Sequence, residues 1–172
     1  NTTTQFVFVD QRVANYDALI ASIDTSVYEV VLVNADQDGL SQMAQALADA
    51  SEVASIQVIS HGASGSLLLG SSSITQQTLM EQPEELAVIR DALTEDADIL
   101  LFGCEVGEGE AGLAFVEKLA ELTTADVAAS VDLTGSAATG GDLVLEVATG
   151  AIEATPVDLS ELDETLALPA AR

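Results

Sequence analysis

Hydrophobic residues in this chain recur in two rhythms. Short apolar runs of strand length occupy residues 5–9, 29–33, 56–60 and 99–103, and polar or glycine-containing turns close them. Between them, residues 16–23, 40–50, 78–93 and 111–122 carry apolar positions at helical spacing, as at Leu40, Met43, Ala44 and Leu47. Asn15 is placed to cap the first helix, and Pro83 interrupts the third. The opening pattern is βαβαβ, which predicts a parallel sheet with right-handed crossovers. The run from Ile99 to Gly103 has no polar break and reads as a central, fully buried strand. Residues 126–129 predict a further strand, and 142–147 alternate polar and apolar as a sheet-edge strand does. The Gly- and Ser-rich stretch 62–73 departs from both rhythms; within it, 66–70 and 73–75 are expected to pair as a small hairpin arm. The expected fold is α/β: a mostly parallel sheet of about six strands with helices on both faces. It should span residues 5–153, leaving 154–172 as an acidic C-terminal tail or linker.

Charge narrows the partners. The 172 residues include 29 acids against four basic residues, a net charge of −25. The four are Arg12, Arg90, Lys118 and Arg172. Such a balance argues against nucleic acid, whose phosphates require Lys and Arg. It favours cations or a saline environment, and makes calcium the one cofactor worth testing. No apolar run approaches the ~20 residues that a membrane span needs. The N-terminal Asn-Thr-Thr-Thr lacks the basic and apolar regions of a signal peptide. Opening on Asn1 rather than methionine, the chain is expected to be a fragment of something longer. One cysteine allows no internal disulfide.

Two residues stand out because each is unique. The sole histidine, His61, follows the strand at 56–60 and precedes Gly62; the sole cysteine, Cys104, follows the strand at 99–103 and precedes a helix. Ligands and catalytic groups collect at the carboxyl edge of an open α/β sheet. A thiol and an imidazole there are a candidate nucleophile and base. Gly62 allows close backbone approach to a substrate carbonyl. Its N–H, with that of Cys104, supplies candidate oxyanion donors. Each residue alone is commonplace, a buried thiol and a turn histidine; their pairing at two strand ends is what points to catalysis.

These residues also carry a resemblance. The pattern of apolar strand then His61-Gly62, and apolar strand then Gly103-Cys104, resembles the caspase-like cysteine peptidases. More closely, Phe8-Val-Asp-Gln-Arg-Val13, Ile59-Ser-His-Gly62, Ile99-Leu-Leu-Phe-Gly-Cys104 and Asp132-Leu-Thr-Gly-Ser-Ala137 resemble an uncharacterised bacterial domain, domain of unknown function 4347. That domain occurs in giant repeat-containing surface proteins and has no settled activity. The wider peptidase group implies that Cys104 attacks a peptide carbonyl, that His61 serves as acid or base, and that a pocket near the end of the first strand selects the substrate residue. Asp10 and Arg12 stand at that strand end, and Asp132 is a further candidate wall. Arg12 in the pocket would favour an acidic or polar residue; Asp10 or Asp132 would favour a basic one.

The resemblance implies a caspase-like fold and a cysteine endopeptidase acting on a polypeptide substrate in cis, within a secreted or cell-surface bacterial protein. The alternative is a catalytically idle module that caps or presents an adhesin. Other motifs fall short. Asn34-Ala-Asp36-Gln-Asp38-Gly39 opens like an EF-hand loop, but its twelfth position is Gln45 and a strand precedes it. Residues 62–66 lack the lysine of a phosphate loop. Residues 103–107 do not match a Gly-x-nucleophile-x-Gly elbow, because Cys104 directly follows the first glycine.

Overall fold

The computed structural model describes residues 4–13, 16–103, 106–130, 145, 147–152 and 154. Nine strands and five helices are found among them: β1 (Thr4–Asp10), α1 (Tyr16–Ser22), β2 (Tyr28–Val33), α2 (Gly39–Leu47), β3 (Val53–Ile59), β4 (Gly62–Ala63), β5 (Ser66–Leu69), β6 (Ser72–Ile74), α3 (Gln76–Glu81), α4 (Pro83–Ala92), β7 (Leu93–Phe102), α5 (Gly109–Thr123), β8 (Asp126–Ala129) and β9 (Val147–Ala148). Six strands form one sheet in the order β2-β1-β3-β7-β8-β9. All neighbours in it are parallel except β8 and β9. The protein is thus an α/β domain with a mostly parallel sheet, as the alternating rhythms predict.

Pleating splits each central strand between two cores. Phe6, Phe8, Ile56, Val58, Ile99 and Leu101 point to one face, where α2, α3, α4 and α5 supply Leu47, Leu79, Ile89 and Phe115. Val7, Val9, Ile59, Leu100 and Phe102 point to the other, against Leu19 of α1 and Ile23. Burial on both sides explains why these strands read as unbroken apolar runs. Polar residues are buried in these strands too: Ser55 and Gln57 on β3, Asp98 on β7 and Asp10 at the end of β1.

Local chemistry sets several boundaries. The Asp38 carboxylate accepts from the Ser41 backbone N–H at 2.9 Å and so caps α2. Asp36 N–H donates to Asn34 Oδ1 in the same loop. The EF-hand-like stretch is therefore a strand-to-helix turn in which the Asp38 carboxylate caps α2 and the Asp36 backbone N–H closes on Asn34. Pro83 begins α4, where the missing N–H costs nothing. The central strand starts earlier than its apolar run suggests, at Leu93, because the exposed Glu95 and Asp96 continue it as extended backbone. Asn15, the expected cap of α1, and most of the predicted strand 142–147 lie outside the described residues.

A second, three-stranded sheet, β4-β5-β6, is the expected hairpin arm with one strand more. It follows directly on the His61 strand. Among the described residues no helix is long and apolar enough to cross a membrane.

Candidate active site

Three neighbouring strands end together. The β1–β3 register pairs Val9 with Ile59, and the β3–β7 register pairs Ile59 with Phe102. The ladder runs one step further: Ser60 N–H donates to the Phe102 carbonyl at 3.1 Å. The chain segments that continue from this edge are residues 10–13, His61-Gly62, and Gly103 followed by Cys104. Cys104 itself lies outside the described residues, as does Asp132.

Gly103 is buried against β3. A Cβ built on it would sit 3.0 Å from the Ser60 carbonyl oxygen and 3.1 Å from Leu67 Cδ1. Only glycine lets the β7 end lie this close to its neighbours. After the strand, Gly65 N–H donates to the Val106 carbonyl at 3.0 Å, and the Ser64 hydroxyl to the Glu108 carbonyl at 2.6 Å. Gly107 N–H donates to the Ser130 carbonyl at 2.8 Å. The segment on either side of Cys104 is therefore held by the hairpin arm and by the end of β8.

His61 is only 7% exposed. Its Nε2 lies 3.3 Å from the Arg12 carbonyl oxygen. A carbonyl only accepts, so Nε2 is the donor in this contact. The His61 carbonyl accepts from Leu68 N–H at 2.9 Å, which fixes its backbone to the arm. Gly62 is buried and pairs with Leu67 in the arm.

Asp10 and Arg12 have different surroundings from each other. Asp10 is fully buried. Its Oδ1 accepts from the Arg12 backbone N–H at 2.8 Å and its Oδ2 from Gly70 N–H at 2.7 Å. The Arg12 side chain is 35% exposed, with Nη1 3.8 Å from Asp10 Oδ1. The guanidinium also donates to the Gly70 carbonyl and, at 3.2 Å, to the Ala35 carbonyl. Of the two, Arg12 alone presents surface. Each guanidinium contact named uses one of its five N–H donors, so capacity remains for a further anionic or carbonyl acceptor.

A matching family model covers residues 6–165. The chain belongs to the DUF4347 family, described only as a domain of unknown function. No curated protein matches it in sequence. Both the unique histidine and the unique cysteine of this DUF4347 domain fall inside the matched region.

Two features had no sequence signal. The Arg12 carbonyl that faces His61 is a backbone group, invisible to residue type. The Gly70 contact with Asp10 spans 60 positions and exists only because the arm folds back. Among the described residues, no group of three or more His, Cys, Asp or Glu side chains is arranged to hold a metal. A groove of about 520 Å³, lined by Leu113, Glu117, Glu121, Asp126 and Ala148 among others, borders the start of β8 rather than the strand ends that carry His61.

Proposed function

We propose that this DUF4347 domain is a cysteine endopeptidase of the caspase-like group, with Cys104 as nucleophile and His61 as acid–base partner. The observation that carries the reading is the state of His61: nearly buried, at the carboxyl end of a central strand, with Nε2 held on a backbone carbonyl. A ring held this way is fixed in orientation, as a catalytic acid–base group requires. The neighbouring strand ends in register at Phe102, two residues before the only thiol. Parallel strands lie ~4.8 Å apart, so residues leaving two adjacent ends in step start within reach of each other.

In this mechanism the thiol proton passes to His61 and the sulfur attacks the peptide carbonyl. The Gly62 and Cys104 amides receive the oxyanion. The imidazolium returns the proton to the leaving amine, and water then hydrolyses the thioester with His61 as base. Arg12 offers its exposed guanidinium face to the selected substrate side chain. Asp10, with both oxygens on backbone donors, shapes the pocket from behind it. Asp132 remains a further candidate wall. The substrate is a polypeptide, most directly one joined to the domain itself, in a large secreted or cell-surface bacterial protein.

The test is to incubate the purified chain alone and with a peptide library, as wild type, Cys104→Ala and His61→Ala. Mass spectrometry then maps fragment termini. Self-cleavage at a rate independent of protein concentration, absent in Cys104→Ala and reduced roughly 10²–10⁴-fold in His61→Ala, is expected. Absence of any Cys104-dependent fragment would leave the idle adhesin module as the better reading.

A further inference from the structure

We infer that Asp10 is the positioning residue for His61, acting through the Arg12 peptide on the ring and through Gly70 on the arm that holds the His61 backbone. Asp10 is an acid at the end of a strand, fully buried, where an unpaired carboxylate would be strongly unfavourable. Both of its oxygens are spent on backbone N–H groups from different parts of the chain, Arg12 at 2.8 Å and Gly70 at 2.7 Å. Charge-assisted bonds of this kind are short, directional and roughly twice as strong as neutral ones.

The two anchored segments are the ones that touch His61. The Arg12 residue whose N–H is held by Asp10 has its carbonyl 3.3 Å from His61 Nε2. The Val13 N–H closes the same turn onto the Asp10 carbonyl at 3.0 Å, so the Arg12 peptide is fixed on both sides. Gly70 directly follows the β5 strand, whose Leu68 N–H holds the His61 carbonyl. A turn fixed in this orientation keeps an acceptor aimed at Nε2 and so favours the proton there. The guanidinium of Arg12 is not needed for this step; it serves the Gly70 and Ala35 carbonyls and the exposed face.

The catalytic importance of this arrangement rests on the peptidase reading above; the ring geometry does not. That separation makes the test clean, because the chain has one histidine. Histidine-selective ¹⁵N labelling gives a single imidazole, and long-range proton–nitrogen correlation spectra report which nitrogen carries the proton. The wild-type ring should be predominantly Nε2–H. Asp10→Asn places an amide NH₂ where one of the two carboxylate oxygens now accepts. The ratio of Nε2–H to Nδ1–H should then fall roughly five- to tenfold, the equivalent of losing one good hydrogen bond. Arg12→Ala, which keeps the Arg12 peptide and the Asp10 carboxylate, should leave the ratio within about twofold of wild type. A wild-type ring protonated on Nδ1 overturns the inference whether or not any variant folds. So does a folded Asp10→Asn with the wild-type ratio, or an Arg12→Ala ring that loses the Nε2–H preference. If the tautomer responds as expected while no Cys104-dependent cleavage is found, the positioning role stands and the peptidase reading alone fails.

Discussion

Single residues at the sheet edge are held by contacts that leave little room for change, and Gly103 shows this best. A methyl group there would press on the Ser60 carbonyl at 3.0 Å, on Leu67 Cδ1 at 3.1 Å and on Val106 Cγ2 at 3.2 Å. Leu67 and Val106 meet it with side-chain methyl groups; the Ser60 carbonyl is backbone beside His61 and can yield only by moving the chain. Overpacking of this kind costs about 1–3 kcal/mol. Gly103→Ala is therefore expected to lower the denaturant midpoint by that amount, with an unchanged slope, and to slow alkylation of the adjacent thiol by iodoacetamide. Wild-type stability would show that the β7 end is looser than its contacts imply. Arg12 sits at the other extreme of accessibility. Arg12→Ala should change the substrate preference read from the peptide library more than it changes turnover, because the guanidinium is the exposed group at the strand end. A preference unaltered by Arg12→Ala would move the pocket elsewhere. How these residues serve was only partly legible beforehand. His61 and Asp10 could be placed at strand ends from the apolar runs alone. That Asp10 is buried and Arg12 is not could not, since both are short-range neighbours in a turn and the difference is made by Gly70, 60 positions away.

Elements were legible in proportion to how much of their burial is local. The central strands are sandwiched between two apolar cores, so their own composition declares them. The first part of β7 was not declared, because Glu95 and Asp96 are exposed and the β3–β7 register shifts between Leu93 and Asp98. The hairpin arm was visible as a break in rhythm, but its attachment was not: its bonds to Val106 and Glu108 are made with backbone carbonyls. Helix α5 braces the same loop from the other side. A Cβ on Gly112 would meet the Gly107 carbonyl oxygen at 2.7 Å and the Gly107 Cα at 2.8 Å. Two effects compete in Gly112→Ala. Helix propensity favours alanine by up to ~1 kcal/mol, whereas the clash is with backbone and costs about 1–3 kcal/mol or more. The clash should win, so the variant melts lower than wild type; a higher melting temperature would mean that α5 stands off from the loop. A further prediction concerns the turn before β2. The Asp24 carboxylate accepts from both the hydroxyl and the N–H of Ser26, and these bonds hold its pKa below the ordinary 3.8. A lowered folded-state value means stability that is present above the unfolded pKa and lost as pH falls through the folded one. Melting-temperature profiles of wild type and Asp24→Ala should therefore differ near neutrality and converge in acid below about pH 4. A gap that persists unchanged in acid would show that the turn does not depend on the ionised carboxylate.

For the molecule as a whole the governing fact is charge. Twenty-nine acids face four basic residues, and the net charge of −25 is spread over a domain of 17.7 kDa. Attraction offsets little of this. Among the described residues three basic side chains each meet one acid: Arg12 with Asp10, Arg90 with Asp91 and Lys118 with Glu121. The last two are on the surface, where such pairs contribute about 0–1 kcal/mol. Added salt weakens both kinds of interaction, but the repulsive pairs far outnumber the attractive ones. Unfolding spreads the acids apart, so screening helps the compact state more than the open one. The melting temperature should therefore rise by several degrees as sodium chloride goes from about 10 mM, where the Debye length is ~30 Å, to about 1 M, where it is ~3 Å. Calcium chloride at matched ionic strength tests whether a specific site adds to screening. In the loop that most resembles a calcium ligand set, the Asp38 carboxylate accepts from the Ser41 N–H and hydroxyl and from Gln82 Nε2, and the Asp36 N–H closes a local turn on Asn34. Releasing Asp38 for a cation would uncap α2 and cost about 1 kcal/mol. The calcium curve should accordingly follow ionic strength alone, and Asp38→Asn, which keeps an N-cap acceptor, should leave its shape unchanged. A melting temperature flat across the salt series would refute dominance by self-repulsion, and a calcium response well above the matched sodium curve that disappears in Asp38→Asn would place a true cation site in this loop.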